Sequence, residues 1–345
     1  MVKQKTEIMS PERRYELITR NLQEVIGGDE LKKLLSEKKE ISLYWGTMPT
    51  GSPHVSYLYP FTKIADFLNA GIKVKILLAD LHAALDGVDW KILQKRQNYY
   101  KSLIPLMLKS VGVNTKNLEF IEGSKMQLQG NYFKDLLQLS TLTSVHEATK
   151  AASEVVKLGE NPKLGGILYP LMQALDEEYL KVDIQFGGTD QRKIFVYARE
   201  YLPKIGYKSR IELMNYILPG LIGPKMSSSV PGSKIDMIDE KEVVERKMNQ
   251  AVFLEGDSNN GVMSFLKYVL FVIKKDNNTD FVIDRPEKFG GVKKYSTYEE
   301  LEKDVINKKM HPQDIKKAVA KEINLLLEPV RNDKKIQSLY KLAYT

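Results

Sequence analysis

Residues 41–79 place one amphipathic segment between two short apolar runs, and that arrangement restricts the chain to few folds. Ile41-Ser-Leu-Tyr-Trp45 is brief, apolar and β-prone, as a buried strand is. Gly46-Thr-Met-Pro-Thr-Gly51 supplies a turn. His54 to Leu68 then sets Val55, Leu58, Phe61, Ile64, Ala65 and Leu68 on one helical face. Asn69-Ala-Gly71 stops that helix, and Lys73-Val-Lys-Ile-Leu-Leu-Ala79 is a second strand ending at Asp80-Leu-His82. Strand, helix and strand in this order predict a parallel sheet, because parallel neighbours need a long crossover. Ligands of such sheets bind beyond the carboxyl ends of the strands, where the Gly46–Gly51 turn and Asp80–His82 both lie.

The flanking segments extend the pattern. Residues 10–39 read as helices, opened by Ser10-Pro-Glu12 and interrupted at Gly27-Gly-Asp29. Trp90 to Val111 reads as a long helix ended by Gly112, and Leu118-Glu-Phe-Ile121 as a strand. Asn131 to Glu154 is helical and rich in Leu, Thr and Ser, an insertion in an α/β protein. It can serve as a surface where two copies meet or pack on its own domain, and its sequence does not choose. Tyr169 to Tyr179 reads as a helix opened by Pro170, with Tyr169, Gln173 and Asp176 at i, i+4 and i+7 on one face. That face is polar where periodicity puts core; a solvated surface is the plain alternative. Val182 to Phe186 is a strand, Gly187-Gly-Thr-Asp190 a turn, and Gln191 to Leu202 a helix carrying Arg192 and Lys193.

After Gly232 the sheet pattern ends. Asp239–Ala251, Val262–Ile273, Tyr298–Ile306 and Pro312–Tyr340 read as helices, with Phe281 to Gly291 irregular or extended. These signals divide the chain into an N-terminal helical segment (1–40), an α/β domain (41–232) with an insertion near 115–165, and a helical domain (233–345). Of the 345 residues, 43% are hydrophobic and 28% charged, which suits a globular protein. No apolar run approaches the roughly 18 residues that span a membrane. The N-terminal stretch lacks the apolar core of a secretory signal. The absence of cysteine excludes disulfides and thiolate metal sites and fits a cytoplasmic protein. A net charge of +8 suits a partner bearing phosphates, though solubility alone would also account for it.

Two further stretches carry chemistry. Lys225-Met-Ser-Ser-Ser229 sits between Leu218-Pro-Gly-Leu-Ile-Gly-Pro224 and Val230-Pro-Gly232. A lysine and three hydroxyls in a loop bounded by glycine and proline can meet a phosphate. On its own the stretch also reads as a solvated turn. Its companion is Pro49-Thr-Gly-Ser-Pro-His-Val-Ser-Tyr57. Together they resemble the two signatures of class I aminoacyl-tRNA synthetases. With Tyr-Trp-Gly-Thr at 44–47, Ala-Asp-Leu-His at 79–82, Leu-Tyr-Pro-Leu-Met-Gln-Ala-Leu-Asp at 168–176, Phe-Gly-Gly-Thr-Asp-Gln-Arg-Lys-Ile at 186–194 and His-Pro-Gln-Asp at 311–314, the chain resembles the tyrosyl-tRNA synthetases of archaeal and eukaryotic type from Tyr44 to about Arg331.

That resemblance implies a Rossmann-like parallel-sheet catalytic domain followed by an all-α anticodon-binding domain. It implies activation of L-tyrosine with ATP, accompanied by Mg²⁺, and transfer of the tyrosyl group to tRNA(Tyr), in a homodimer. His54, with Lys225, Ser227 and Ser228, would act on the phosphates. Gly46, Gly51, His54, Lys225 and Met226 would bind ATP. Tyr44 and Asp176 would take the phenolic hydroxyl, and Tyr169, Gln173 and Gln191 the ammonium end. Arg192 and Lys193 would lie near the acceptor stem, and Phe289, His311 and Asp314 at the anticodon. The chain departs from the family pattern in two places. Ser56 and Tyr57 stand where the first signature has glycine and a second histidine, and Ser228 where many relatives carry a second lysine. The chain is also expected to lack an appended tRNA-binding module. A tryptophanyl relative has no need of a phenol-binding carboxylate, so Asp176 speaks against it. An RNA-binding paralogue without activity has no need of His54 and Lys225. A small nucleotidyl transferase leaves the helical half unexplained.

Overall fold

The computed structural model describes residues 9–37, 40–223 and 234–345. They gather into two compact units. One comprises Met1–Met48, Lys63–Leu93 and Thr115–Tyr216; the other comprises Pro49–Thr62, Gln94–Asn114 and Ile217–Thr345.

The first unit is built on a six-stranded sheet of β1 (Leu22–Ile26), β2 (Ser42–Thr47), β3 (Lys73–Leu78), β4 (Leu118–Glu122), β5 (Ile184–Gly188) and β6 (Ile211–Asn215). Their order is β1-β6-β5-β2-β3-β4, with every neighbouring pair parallel except β1 and β6. The strand–helix–strand expectation holds: β2 pairs with β3 from Ser42↔Lys73 to Thr47↔Leu78, and helix Leu58–Asn69 lies between them in sequence. Both faces of this sheet are covered, which is why β3 closes on an unbroken apolar run, Ile76–Leu78, and β6 is buried throughout. Phe67 packs edge-on against Phe186 of β5, with ring centroids 5.0 Å apart. The buried Lys63 bonds Asp66 at 2.9 Å and the carbonyls of Ile18 and Arg20 at 3.0 and 2.7 Å. It thereby satisfies the open carbonyl end of helix Pro11–Thr19.

Several expectations are corrected. Residues 10–39 are not helical throughout, because β1 intervenes between helices Pro11–Thr19 and Gly28–Glu37. Asn21 (φ 57°) turns the chain out of the first helix and Gly27 (φ 87°) turns it from β1 into the second, and pairing with β6 overrides local propensity between them. β6 has no counterpart in the sequence reading, since Glu212 breaks its apolar run although the strand is buried throughout. His54 is extended and precedes a 3₁₀ turn at Val55–Tyr57, so the helix proper starts at Leu58. Asp80–Leu85 is a helix and not merely a strand end. The helix bearing Tyr169 starts at Leu164 and contains Pro170 internally; proline there has no N–H for the carbonyl of Gly166. Gly187 and Gly188 belong to β5, and the turn is Thr189–Gln191. The helical insertion splits into Gly130–Leu142 and Val145–Ala152, where Ser144 and Glu147 form a capping box.

The second unit is mainly helical over Lys241–Gln250, Gly261–Phe265, Phe271–Asp276, Tyr298–Ile306, Pro312–Asn332 and Lys334–Tyr344, preceded by most of Trp90–Ser110. Asp333 divides the expected Pro312–Tyr340 helix and caps the second part through the N–H groups of Lys335 and Ile336. The irregular stretch is a small antiparallel ladder of β7 (Phe281–Ile283) and β8 (Lys293–Tyr295), with a 3₁₀ turn at Glu287–Phe289 between them. No described helix is long and apolar enough to cross a membrane.

Candidate active site

Helix Leu164–Tyr179, within the first unit, presents the polar face that its spacing predicts, with Tyr169 and Asp176 buried and Gln173 partly so. Asp176 is 1% exposed. Its Oδ1 accepts from Gln127 Nε2 at 2.8 Å and from the Tyr132 hydroxyl at 2.9 Å. Its Oδ2 has no hydrogen-bond partner among the described residues and lies 3.9 Å from His82 Nε2, which is likewise unpartnered. Burial pushes the Asp176 carboxyl up to about 7 and the His82 ring down to about 4, so His82 is neutral. Gln127 Nε2 also reaches His82 Nδ1 at 3.3 Å. With the amide donating there, the ring proton sits on Nε2. A buried acceptor and a buried donor therefore face one another across a gap too long for a direct bond.

Local sequence explains how these groups arrive. Asp80, at the carboxyl end of β3, accepts from Ser124 N at 2.8 Å and so fixes the start of the short helix Gly123–Gln127, which carries Gln127. Gly123 is required there, since a Cβ would lie 2.8 Å from Asp80 Oδ1 and 3.1 Å from the Leu78 carbonyl. His82 follows on helix Asp80–Leu85 and stands edge-on to Tyr169, centroids 4.6 Å apart. His82, Gln127 and Tyr132 were not among the expected pocket residues. Only His82 carried a signal, its place just after a sheet strand.

The remaining expected pocket residues are drawn together. The Tyr169 hydroxyl reaches Met48 Sδ at 3.5 Å. Gln173 Nε2 donates to Gln191 Oε1 at 3.1 Å. Tyr44, on β2, is buried; its hydroxyl accepts from Gln185 Nε2 and donates to the Gln173 carbonyl at 3.4 Å. Gly46 lies on the same strand. Gly187 makes room for the Gln191 end, because a Cβ there would lie 3.1 Å from Gln191 Cγ and 2.8 Å from Phe195.

The first-signature stretch belongs to the second unit and is braced at each residue. The Gly51 carbonyl accepts from the Tyr100 hydroxyl at 2.6 Å, and the Thr50 carbonyl from Arg96. Ser52 Oγ donates to Asp236 Oδ1 at 2.8 Å, and Lys234 bonds Asp236 Oδ2 at 3.3 Å. Val55 N to the Ile235 carbonyl (2.9 Å) and Met237 N to the Pro53 carbonyl (3.1 Å) make an antiparallel bridge around His54 and Asp236. Burial, with the charge of Lys234, pushes His54 down to about 3, so it is neutral. Its Nδ1 is 2.6 Å from Ser56 Oγ. Ser56, one of the departures from the family pattern, can donate to Nδ1 and leave an N–H on Nε2. Tyr57, the other, stands edge-on to His54 with centroids 5.4 Å apart. Lys225, Met226, Ser227 and Ser228 lie outside the described residues.

Of the residues expected to meet RNA, Arg192 holds Glu24 by two bonds of 2.8 and 2.9 Å, and Lys193 holds Glu154 at 2.9 Å. Phe289 is 58% exposed. His311 caps helix Pro312–Asn332, accepting from Gln313 N at 3.1 Å, and Asp314 sits in its first turn. Arg285 ties the two segments together, donating to the Gly291 carbonyl at 3.1 Å and to the Lys309 carbonyl at 3.4 Å.

Residues 36–328 match the family described as tRNA synthetases class I (W and Y). The chain is 52% identical over 340 residues to the cytoplasmic tyrosine–tRNA ligase of Gallus gallus, covering 97% of this chain and 64% of that one. It is 46% identical over 349 residues to the corresponding Saccharomyces cerevisiae protein, covering 97% and 89%. The crystal structure of the tyrosyl-tRNA synthetase of Archaeoglobus fulgidus, complexed with L-tyrosine, superposes with a TM-score of 0.86 at 36% identity, covering 93% of this chain and 98% of that one. The chain spans 62–64% of the length of the vertebrate relatives it matches. Its parallel sheet, its buried polar helix face and these matches agree: the chain belongs to the class I tRNA synthetases of the tryptophan and tyrosine family.

Proposed function

We propose that the protein is a cytoplasmic tyrosine–tRNA ligase. The observation that carries this reading is the facing pair of unpartnered atoms, Asp176 Oδ2 and His82 Nε2. A phenolic hydroxyl both donates and accepts, and so satisfies both. An indole N–H serves the carboxylate and leaves the imidazole unpaired; a phenyl ring leaves both unpaired. A site of buried polar groups rejects ligands that leave those groups without partners. Tyr44 supplies a further hydroxyl at the same end, and Tyr169, Gln173 and Gln191 hold the substrate's ammonium group.

In the first step the carboxylate oxygen of tyrosine bonds to the α-phosphorus of ATP. The α–β phosphoanhydride bond breaks, and pyrophosphate leaves with its electron pair. Negative charge shifts onto phosphate oxygens, so placed donors lower the barrier. His54, neutral and bearing an N–H on Nε2, is such a donor; Gly46 and Gly51 let the nucleotide approach the backbone. Lys225, with Met226, Ser227 and Ser228, holds the β- and γ-phosphates. Mg²⁺ would come with ATP and offset the charge of its phosphates; among the described residues no three His, Asp or Glu side chains gather to hold it. A hydroxyl of the terminal ribose of tRNA(Tyr) then bonds to the tyrosyl carbonyl carbon; the bond from that carbon to the phosphate oxygen breaks, AMP leaves with its electron pair, and the hydroxyl proton is released.

Arg192 and Lys193 meet the acceptor stem by exchanging their carboxylate partners for phosphates. Phe289, His311 and Asp314 meet the anticodon. Leu128, Phe133, Leu137, Leu142 and Val145 are exposed on the insertion, and we assign this apolar surface to a homodimer. Charging of tRNA with labelled tyrosine tests the reading. Tyrosine is expected to be transferred and phenylalanine not; transfer of neither would overturn it.

A further inference from the structure

Behind Tyr44 at the phenol end lie buried polar groups to which the reaction above gives no work. Tyr44 pairs in register with Gln185, and Gln185 with Glu212, across β2, β5 and β6. The three side chains therefore share one face of the sheet. Gln185 is 2% exposed and Glu212 fully buried. Gln185 Nε2 donates to the Tyr44 hydroxyl oxygen. Gln185 Oε1 and both carboxyl oxygens of Glu212 have no hydrogen-bond partner among the described residues. Glu177, also fully buried, leaves both of its oxygens unpartnered too.

An amide oxygen beside an ionised carboxylate is two acceptors with nothing between them; a carboxyl that holds its proton becomes the missing donor. We propose that Glu212 is a positioning residue: its carboxyl group donates to Gln185 Oε1, fixes the orientation of that amide, and so keeps the Tyr44 hydroxyl proton off Gln185, able to turn from its long 3.4 Å bond with the Gln173 carbonyl to the phenol oxygen of the bound substrate. The direction of the relay is what matters. With Nε2 toward Tyr44, the tyrosine oxygen is already an acceptor and its proton points away from Gln185. With the amide reversed, Tyr44 spends that proton on Oε1 and offers the substrate no donor.

The surroundings suit a neutral acid. Burial raises Glu212 well above the carboxylate range, and Glu177 raises it further, while Arg199 and Arg210 oppose the shift. Glu177 faces it from helix Leu164–Tyr179, Arg199 from helix Arg192–Tyr201, and Arg210 from the segment leading into β6. Tyr44 and Asp176 lie on the substrate side. Both arginines have other partners: Arg210 bonds Glu178 at 2.5 Å, and Arg199 lies 3.6 Å from Glu30.

This inference rests on the tyrosine reading, and its test separates the two. Amino-acid-dependent ATP–pyrophosphate exchange is measured with tyrosine and phenylalanine for the wild type, Glu212→Gln, Glu212→Leu and Gln185→Met. Glutamine at 212 still donates, so Glu212→Gln is expected to keep the wild-type ratio of kcat/KM for tyrosine over phenylalanine. Glu212→Leu and Gln185→Met are expected to lower that ratio about 10-fold, by loss on tyrosine alone. In a Tyr44→Phe background the same changes are expected to have no further effect on it. Equal losses on both amino acids, or an unchanged ratio in Gln185→Met should Glu212→Leu fail to fold, would overturn the relay and leave the tyrosine reading standing. No tyrosine-dependent exchange in the wild type would overturn both.

Discussion

Asp176 and His82 face each other at 3.9 Å, carboxyl oxygen to ring nitrogen, and neither facing atom has a hydrogen-bond partner among the described residues. Oδ1 of the same aspartate, by contrast, accepts two bonds. The site is pre-shaped for a group that both donates and accepts.

Replacing Asp176 by Asn puts an amide on the position that we propose accepts the phenol proton. Tyrosine-dependent kcat/KM is expected to fall about 10- to 100-fold, the worth of a hydrogen bond to a charged group. Phenylalanine-dependent exchange should change little. Steady-state exchange rates with the two amino acids check this.

The same carboxyl makes activity depend on pH. Burial raises Asp176 to about 7, so it loses its proton only near neutrality. The KM for tyrosine is expected to rise as pH falls from about 8 to about 6, as the acceptor is protonated. Stability moves the opposite way. A folded-state value above the unfolded one gives stabilisation that is complete below about 4 and lost as pH climbs through about 7. Asp176→Asn should flatten both trends, read from KM profiles and from urea midpoints of the free protein.

Tyr132→Phe removes one of two donors to Asp176 Oδ1 and leaves a buried carboxyl short of a bond. A loss of about 1–3 kcal/mol of stability is expected. Urea denaturation measures it, and the Asp176→Asn background should lessen it because the two residues share one network.

The sheet and the polar face of helix Leu164–Tyr179 were legible because their signals are local. Buried parallel strands are short apolar runs between turns, as at Ile41–Trp45 and Lys73–Ala79, and Tyr169, Gln173 and Asp176 share a face by helical spacing alone. β1 and β6 were not legible. Gln23 and Glu24 in one and Glu212 in the other hide strands whose status comes from mutual pairing. His82, Gln127 and Tyr132 reach Asp176 from three separate segments, and no local pattern joins them. Their place is set by Asp80 holding the start of helix Gly123–Gln127.

Gly123→Ala tests that support. The new Cβ would meet Asp80 Oδ1 at 2.8 Å and Gln127 Oε1 at 3.0 Å. Overpacking of this kind costs about 1–3 kcal/mol. A higher KM for tyrosine should accompany the lower stability, while the KM for ATP stays near the wild-type value.

On the proposed reading, His54→Ala removes a donor to the phosphates and leaves every residue assigned to the tyrosine pocket in place. The activation rate is expected to fall at least about 100-fold, as when one oxyanion donor is lost. Equilibrium binding of tyrosine, measured by calorimetry, should be unchanged.

The most direct test of the central claim is ATP–pyrophosphate exchange with tyrosine, phenylalanine and tryptophan run side by side on the wild type and on Asp176→Asn. Exchange with tyrosine alone, sharply reduced in the variant, is the predicted result. Equal exchange with tryptophan or phenylalanine, or an unaltered tyrosine rate in Asp176→Asn, would contradict the assignment of Asp176 to the phenol.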